Sequence, residues 1–285
     1  MYRYKERLKQ ILFLRNKIAQ QAIREKYLKF QKRRQIMKEI NEFRKKNKPF
    51  HLNNQYNSVI PLNIYTCWHD GNLPPYMKVN IDYLKYSNPE FQVFVYDEKM
   101  CREFIEKHFD GDVLNSYNKL KPCSYKSDLW RFCVLYINGG IYLDIKYRCI
   151  NNFKLIALTE KEHFVRDRGD YGTYTALISV LPKNEIMWNC IQKIVENVNN
   201  NYYGNNALDP TGPGLLGSFF SSEEKNNMEL YFESTNIENY LKDIYYIMYN
   251  DSIIMTYYKK YREEQRVYQK FQPYGELWDN NDIYF

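Results

Sequence analysis

The chain has 285 residues, of which 44% are hydrophobic and 26% charged, proportions that are ordinary for a globular protein with a substantial core. Its net charge of +7 is unevenly distributed, because residues 1–50 contain 17 Lys and Arg against 4 Asp and Glu, which leaves −6 for the remainder. A uniformly basic nucleic-acid-binding domain is therefore not expected, and we do not expect nucleic acid as a partner. The six cysteines form no CxxC pair, which argues against a zinc site and against a disulfide framework.

The N-terminal segment predicts one long helix, because residues 5–47 contain neither Gly nor Pro and carry apolar side chains among many cations (Leu8, Ile11, Leu12, Ile18, Ile23 and Leu28). Three interpretations are open for it: a solvated helical arm, a basic amphipathic helix on an anionic membrane surface, or a segment that binds nucleic acid or a helical partner. We divide the chain into this basic helical arm (residues 1–50), a linker (51–60) and one domain (61–285).

The sequence shows no secretory signal, and none of its apolar runs is long enough to span a bilayer. We therefore expect the protein in the cytoplasm or at the cytosolic face of a membrane.

The domain alternates between strand and helix patterns. Strands are predicted at 62–68, 91–97, 141–145, 163–167 and 174–181, and helices at 74–88, 98–109, 124–140 and 184–198. This order predicts an α/β domain with a largely parallel sheet. Ligands of such sheets bind outside the carboxyl ends of the strands, and Asp144 follows one such end.

The segment "SDLWRFCVLYINGGIYLDIK" (127–146) contains the main candidate site. Asp128 and Arg131 are three residues apart and share one helix face, while Tyr142 and Asp144 share one face of a strand. The glycines between helix and strand permit a sharp turn, so we expect Asp128, Arg131 and Asp144 to lie close together. A purely structural ion pair between Asp128 and Arg131 is the simpler alternative.

These residues resemble a known family, glycosyltransferase family 32, the group with a DXD-motif sugar-binding region. The family pattern is S-D-x-x-R, about seven residues, then G-G-x-Y-x-D-x-D, and the chain matches it from Ser127 to Asp144. The stretches "IPLNIYTCWHDGNLPP", "NPEFQVFVYD" and "DPTGPGLLG" fit the family as well, and "YGELWDNNDIYF" fits more loosely. The group includes fungal α-mannosyltransferases and bacterial capsular polysaccharide transferases, and large glucosylating toxins are related to it.

The resemblance implies a GT-A type, Rossmann-like fold that binds a nucleotide-diphosphate sugar, usually with Mn²⁺ or Mg²⁺. It implies retaining transfer of a hexose from a UDP- or GDP-sugar to a hydroxyl of a glycan or protein acceptor. By position, Asp128 and Arg131 would hold the donor sugar, Asp144 would contact the ribose and the metal or sugar, and Trp68 would lie near the base. The remaining donor-binding candidates are Ser127, Gly139, Gly140, Tyr142, Thr211 and Gly212.

The sequence departs from the family at Lys146, which stands where the second carboxylate of Asp-x-Asp would be. A protonated lysine cannot ligate a metal. Three interpretations follow: Lys146 neutralises the diphosphate and metal dependence is weak or absent; Lys146 points to solvent while Asp144, with Asp279 or Asn280, holds the metal; or the protein is a pseudoenzyme. A protein that tethers a partner or membrane through its basic arm is the alternative from a different functional class.

Overall fold

The protein is described by a computed structural model that covers residues 2–169, 172–237 and 240–285. Its helices are α1 (Tyr2–Lys46), α2 (Pro75–Ser87), α3 (Glu98–His108), α4 (Gly111–Lys119), α5 (Cys123–Asn138), α6 (Glu185–Asn199), α7 (Pro213–Gly217), α8 (Ser222–Asn226), α9 (Tyr261–Tyr268) and α10 (Tyr274–Asp279). Its strands are β1 (Asn63–Cys67), β2 (Gln92–Tyr96), β3 (Gly140–Leu143), β4 (Tyr147–Cys149), β5 (His163–Arg166), β6 (Thr173–Val180), β7 (Leu230–Ile237), β8 (Leu241–Tyr249) and β9 (Ser252–Tyr257). A 3₁₀ turn spans Leu155–Leu158.

The chain forms two compact units. The first comprises residues 1–47 and 235–243, and α1, with its 45 residues, is its main element. Of the apolar positions predicted in this helix, Ile23 and Leu28 are exposed, whereas Leu8, Ile11, Leu12 and Ile18 lie outside the described side chains. No helix in the described ranges is long and apolar enough to cross a membrane.

The second unit comprises residues 48–234 and 244–285, so it includes the segment 51–60 that the sequence predicts as a linker. Phe50 is buried, and its ring lies 5.0 Å from that of Phe153 and 5.6 Å from that of Tyr249. The backbone N–H groups of Val59 and Ile60 both donate to one carbonyl in the 3₁₀ region. This segment is therefore tied to the domain at both ends.

The described strands form one nine-stranded sheet in the order β2-β1-β3-β6-β5-β7-β8-β9-β4. The pairs β1–β2 and β1–β3 are parallel, which is the Rossmann-like half, and the α/β fold class is confirmed. The prediction of a largely parallel sheet is wrong, because β3–β6, β5–β6, β8–β9 and β4–β9 pair antiparallel. Strands β8 and β9 are joined by Asn250 and Asp251 alone, both at positive φ, as in a type I′ hairpin turn.

The sheet is covered on both faces, and side-chain alternation along its strands explains this. In the paired strands β1 and β3, Ile64 and Ile141 enter one hydrophobic core, whereas Tyr65 and Tyr142 enter the other. The first core packs under α2 and α9, and the second packs under α3, α4, α5 and α6. Because both faces are buried, we expect a ligand to bind at the carboxyl ends of the parallel strands.

The C-terminal segment packs back onto earlier elements. Ile283 is fully buried, and Leu120, just before α5, forms a β-bridge with Tyr284. The buried carboxylate of Glu264 accepts hydrogen bonds from the backbone N–H groups of Tyr76 and Met77, at 2.7 and 2.9 Å. These are N–H groups in the first turn of α2, which has no side-chain cap of its own, so α9 supplies the missing acceptors.

Two glycines connect α5 to β3. Gly139 (φ 61°) ends the helix and Gly140 (φ 99°) begins the strand, both in the region that side chains with a Cβ rarely adopt. A Cβ on Gly140 would lie 2.7 Å from the carbonyl oxygen of Asn63, and one on Gly139 would lie 2.6 Å from Pro182. The turn therefore requires both the conformational freedom and the small size of glycine.

We expect Gly140→Ala to destabilise the protein by at least about 2 kcal/mol, because it adds backbone strain to a steric conflict with β1. Urea denaturation measures the loss. Gly111→Ala is the matched control, since its Cβ would meet only Asn115 at 4.0 Å, and it should change the free energy of unfolding little. Equal stability of Gly140→Ala and the wild type would contradict this account of the turn.

A buried histidine makes stability depend on pH. His163 in β5 is 5% exposed, and burial lowers its pKa to about 4, although Glu229 opposes this with an oxygen 3.8 Å from Nδ1. In the unfolded chain its pKa is about 6.5, so protons bind the unfolded state first as the pH falls. The contribution of neutral His163 to the free energy of unfolding is fully present above pH 6.5. It is lost as the pH falls from 6.5 to 4.

We expect the wild type to lose about 2 kcal/mol through this residue between pH 7 and pH 5. His163→Gln should remove that component, so the difference in free energy of unfolding between variant and wild type should change with pH by this amount. His51→Gln, at an exposed position, is the control and should follow the wild-type pH profile. Parallel profiles for His163→Gln and the wild type would refute the prediction.

Candidate active site

The candidate residues of the central segment meet at the end of β3 in a network of alternating charges. Arg131 places Nη2 3.0 Å from Oδ1 of Asp128 and Nη1 3.8 Å from Oδ1 of Asp144. The Nζ of Lys146 lies 2.6 Å from Oδ2 of Asp144. Asp128 and Arg131 are 7% and 6% exposed. The turn at the two glycines thus brings together the three charged groups that the sequence analysis expected, and adds Lys146.

Further hydrogen bonds orient the two residues on α5. Arg131 donates from Nη1 to the carbonyl of Thr175 (2.8 Å) and from Nη2 to the hydroxyl of Ser127 (3.2 Å). The hydroxyl of Thr211 donates to Oδ2 of Asp128 at 2.8 Å. Gly212 follows so closely that an added Cβ would lie 3.2 Å from the same oxygen. The "TGP" loop is therefore in direct contact with the Asp128 carboxylate.

Asp144 is held by its neighbours on β3 and beyond. The hydroxyl of Tyr142 donates to its Oδ1 at 2.7 Å, and the guanidinium carbon of Arg131 lies 4.4 Å from the centroid of the Tyr142 ring. Ser127 in turn lies 3.0 Å, Oγ to Sγ, from Cys67 at the end of β1. Side chains from α5, β1 and β3 thus hold one another in place at this end of the sheet.

The environment shifts the pKa values of the two carboxylates, Asp128 and Asp144, in opposite directions. Burial raises the pKa of Asp128 above its usual value, although Arg131 and the Thr211 hydroxyl oppose that effect. Burial also acts to raise the pKa of Asp144, but Lys146 and Arg131 outweigh it and the pKa is lowered. For Lys146, burial is likewise outweighed, chiefly by Asp144, and the pKa is raised well above its ordinary range. At neutral pH, Asp144 and Lys146 are therefore a charged pair.

Lys146 is enclosed by aromatic rings. Its ammonium nitrogen lies 5.7, 5.5 and 5.4 Å from the ring centroids of Tyr147, Tyr174 and Tyr257. Only 18% of the surface of its side chain is exposed. The interpretation in which Lys146 points into solvent is wrong, because ion pairing and cation–π attraction hold the ammonium within the site.

The residues at Asp144 do not fit the divalent cation that the family resemblance implies. One carboxylate oxygen accepts the Tyr142 hydroxyl, and the other is paired with the ammonium group of Lys146, which cannot ligate. Asp279 and Asn280 are exposed at the end of α10. In the described ranges no three His, Cys, Asp or Glu side chains are grouped so that they could hold a metal ion.

Trp68 directly follows β1, where its backbone N–H donates to the carbonyl of Tyr96 at 2.9 Å. Its ring lies 4.4 Å from that of His69, which in turn meets Phe271 edge-on. The loop from His69 to Gly71 borders an open cavity of about 530 Å³ that also contacts Lys126 on α5. Trp68 is thus next to a cavity on the β1 side of the site.

Several residues at the site carry no signal in the linear sequence. Cys67, Thr175 and the tyrosines around Lys146 come from β1, β6, β4 and β9, and the pairing of these strands was not predicted. The sequence gives one local indication of the surroundings of Lys146, namely that Tyr147 follows it directly. Even this indication is weak, because successive side chains of a strand point to opposite faces.

The similarity to known proteins lies in the part of the chain that contains these site residues. Residues 74–164 match the family described as "Glycosyltransferase sugar-binding region containing DXD motif". An uncharacterized glycosyltransferase (L373) of Acanthamoeba polyphaga mimivirus is 30% identical over 96 residues, which cover 33% of this chain and 38% of that protein. The initiation-specific alpha-1,6-mannosyltransferase of Candida albicans is 31% identical over 100 residues, which cover 30% of this chain and 24% of that protein.

Two solved glycosyltransferase structures are similar in part. The PaToxG glycosyltransferase has a TM-score of 0.42 at 18% identity and matches 57% of this chain and 70% of that chain. The ligand-free glycosyltransferase domain of the YGT toxin has a TM-score of 0.38 at 11% identity, with 50% and 64% matched. The matched family segment contains Asp128, Arg131, Asp144 and Lys146. The family resemblance predicted from the sequence is therefore confirmed: residues 74–164 match the glycosyltransferase sugar-binding region that contains the DXD motif.

Proposed function

We propose that the protein is a retaining glycosyltransferase that moves a hexose from a UDP- or GDP-sugar to a hydroxyl group of an acceptor. The family match of residues 74–164 supports a sugar-nucleotide site. Asp128 and Arg131, which are buried and fixed by Thr211 and Thr175, are suited to hold the hydroxyl groups of the donor sugar. Asp144 and Lys146 are suited to the ribose and the diphosphate.

The strongest support for this proposal is the charge balance of the site. Asp128 and Asp144 contribute two negative charges, and Arg131 and Lys146 contribute two positive ones. A second carboxylate at position 146 would leave a deficit of two positive charges, which is the charge of a divalent cation. Lys146 thus supplies through the chain itself the compensation that a metal ion supplies in Asp-x-Asp sites.

The reaction then needs orientation and charge stabilisation rather than a protein nucleophile. The bond between the anomeric carbon and the β-phosphate oxygen breaks, and an acceptor hydroxyl attacks that carbon on the face of the departing group. The hydroxyl proton passes to the departing phosphate oxygen. A fixed cation at Lys146 stabilises the negative charge that develops there, and it needs no reorganisation during the step.

The first test is loss of transfer in conservative variants. Asp128→Asn and Asp144→Asn should each reduce turnover by about 100-fold or more, because each removes an oriented charge from the site. Circular dichroism should show that both variants remain folded. Asp82→Asn, at an exposed position on α2, is the control and should be fully active. Wild-type turnover in either site variant would refute the assignment.

The second test concerns the built-in cation, and its readout is thermal stabilisation by UDP- and GDP-hexoses in EDTA or in Mn²⁺. The wild type should be stabilised in EDTA, by about 2.7 kcal/mol at a hundred times the Kd. Lys146→Met should lose this effect, and Lys146→Asp, which restores Asp-x-Asp, should regain it only with Mn²⁺. Stabilisation of the wild type only in Mn²⁺ would refute the built-in cation.

The pseudoenzyme alternative gives a distinct result in the same experiments. Such a protein would be stabilised by a nucleotide sugar, but it would neither transfer nor hydrolyse it.

A second function is favoured by one observation, the exposed apolar residues on α1. Ile23, Tyr27, Phe30 and Met37 are 67, 58, 56 and 48% exposed. Their spacing of four, three and seven residues places them along one side of the helix, and the segment around them is strongly basic. This combination supports membrane-surface attachment by α1, because apolar insertion and attraction to anionic lipids reinforce each other.

We therefore expect the full chain to sediment with phosphatidylcholine vesicles that contain phosphatidylserine, but not with phosphatidylcholine alone, and to be released by high salt. The double variant Tyr27→Ser, Phe30→Ser should bind these vesicles several-fold more weakly. Tyr86→Ser, at an 83% exposed site on α2, is the control. Equal binding to both vesicle types would contradict an electrostatic attachment.

A further inference from the structure

Tyr174 on β6 lies at the same end of the sheet as the charge network. The backbone N–H of Asp144 donates to the carbonyl of Ala176, two residues along β6 from Tyr174, at 2.8 Å. The ammonium nitrogen of Lys146 lies 5.5 Å from the centroid of the Tyr174 ring. A phenolic hydroxyl group is thus present beside the cation that we propose for the leaving diphosphate.

A second tyrosine orients this hydroxyl group. Tyr147 is 1% exposed, and its hydroxyl donates a hydrogen bond to the hydroxyl oxygen of Tyr174 at 2.9 Å. Because the Tyr174 oxygen accepts that proton, its own proton must point in another direction. Within residues 2–169, 172–237 and 240–285, Tyr174 donates this proton to no other residue, and its side chain is partly exposed. One oriented donor therefore remains for a ligand.

The ring and the turn beside it are fixed by packing. Phe232 stacks on the Tyr174 ring at 4.0 Å with 13° between the planes, and the Tyr147 ring meets it edge-on at 6.3 Å. The buried amide of Asn80 donates to the carbonyls of Ile145 and Tyr147, at 3.1 and 2.8 Å, and so fixes the turn that carries Lys146. What Tyr174 can offer a ligand is therefore the hydroxyl group at the edge of its ring.

This hydroxyl group keeps its proton at neutral pH. Burial raises the pKa of Tyr174 well above its usual value, although Lys146 opposes that effect. A neutral phenol and an ammonium group thus lie side by side, and both are hydrogen-bond donors. Donors that are already aimed at the place where negative charge develops stabilise a transition state most effectively.

We propose that Tyr174 is a further catalytic residue, whose hydroxyl donates a hydrogen bond to a non-bridging oxygen of the departing β-phosphate, and that Tyr147 is the positioning residue that aims it. This inference rests on the proposed transferase function and adds a residue to its mechanism. The Tyr174 proton is not transferred. It stays on the phenol while the bond between the anomeric carbon and the phosphate oxygen breaks, and the hydrogen bond strengthens as the phosphate gains negative charge.

The test is the steady-state release of nucleoside diphosphate from UDP-glucose, UDP-galactose and GDP-mannose, with water as the acceptor. Tyr174→Phe should lower kcat about 100-fold while KM for the donor stays near the wild-type value, because the lost contact strengthens only in the transition state. The variant keeps the ring that packs on Phe232 and Lys146, so it should fold. Tyr245→Phe is the matched control: its ring also stacks on Phe232, at 6.1 Å, but it is not one of the rings described around Lys146. It should keep the wild-type kcat.

Tyr147→Phe should lower kcat less, by about tenfold at unchanged KM, because Tyr174 then keeps its donor but loses its orientation. Wild-type kcat in Tyr174→Phe, or an equal loss in Tyr245→Phe, would overturn the role of Tyr174 and leave the transferase standing. A raised KM at unchanged kcat would also overturn it, since the hydroxyl would then act in donor binding alone. Failure of the wild type to turn over any of the three donors would overturn the transferase, and this inference with it.

Discussion

Four charges at the end of β3, two of them buried and two partly buried, must balance, and the rest of the site is arranged around that constraint. Taking a carboxylate or a guanidinium group out of water costs several kcal/mol, and a partner removed from such a pair leaves an uncompensated charge that costs about 3–5 kcal/mol. Here every member has an opposite charge within 4 Å and at least one neutral hydrogen-bond partner or aromatic neighbour. The four charges of the site therefore sum to zero. If the proposed diphosphate donor binds here, it meets alternating signs and not an excess of positive charge.

The parts of this network come from distant points of the chain. Thr211 is 83 residues from Asp128, and Thr175 is 44 residues from Arg131. The three rings around Lys146 come from β4, β6 and β9, which meet only when the second half of the sheet has formed. The site is thus a product of the complete fold, although the segment 127–146 contains all four of its charges.

That distribution explains how far the sequence could be interpreted. The elements of the domain up to β3, with the exception of α4, and the proximity of Asp128, Arg131 and Asp144 were predictable, because helix periodicity, a helix-ending glycine and strand alternation are local signals. Helix α4 (Gly111–Lys119) was missed. The mixed sheet was not predicted, since strand pairing depends on contacts between remote residues. Asn250 and Asp251 did offer a local hairpin signal, and it was missed. The environment of Lys146 had no such signal, so the orientation of its side chain could be decided only by the folded chain.

The packing of the C-terminal residues affects how variants of this protein are interpreted, because these residues hold the start of α5. Ile283 is fully buried, its carbonyl accepts the backbone N–H of Lys121, and the N–H of Phe285 donates to the carbonyl of Lys119. Helix α5, which carries Ser127, Asp128 and Arg131, starts at Cys123, only two residues beyond this contact. A substitution at Ile283 or Tyr284 would therefore disturb the start of this helix. A loss of activity in such a variant would not by itself mean that these residues touch a substrate, because the bridge between Leu120 and Tyr284 acts on the site through α5.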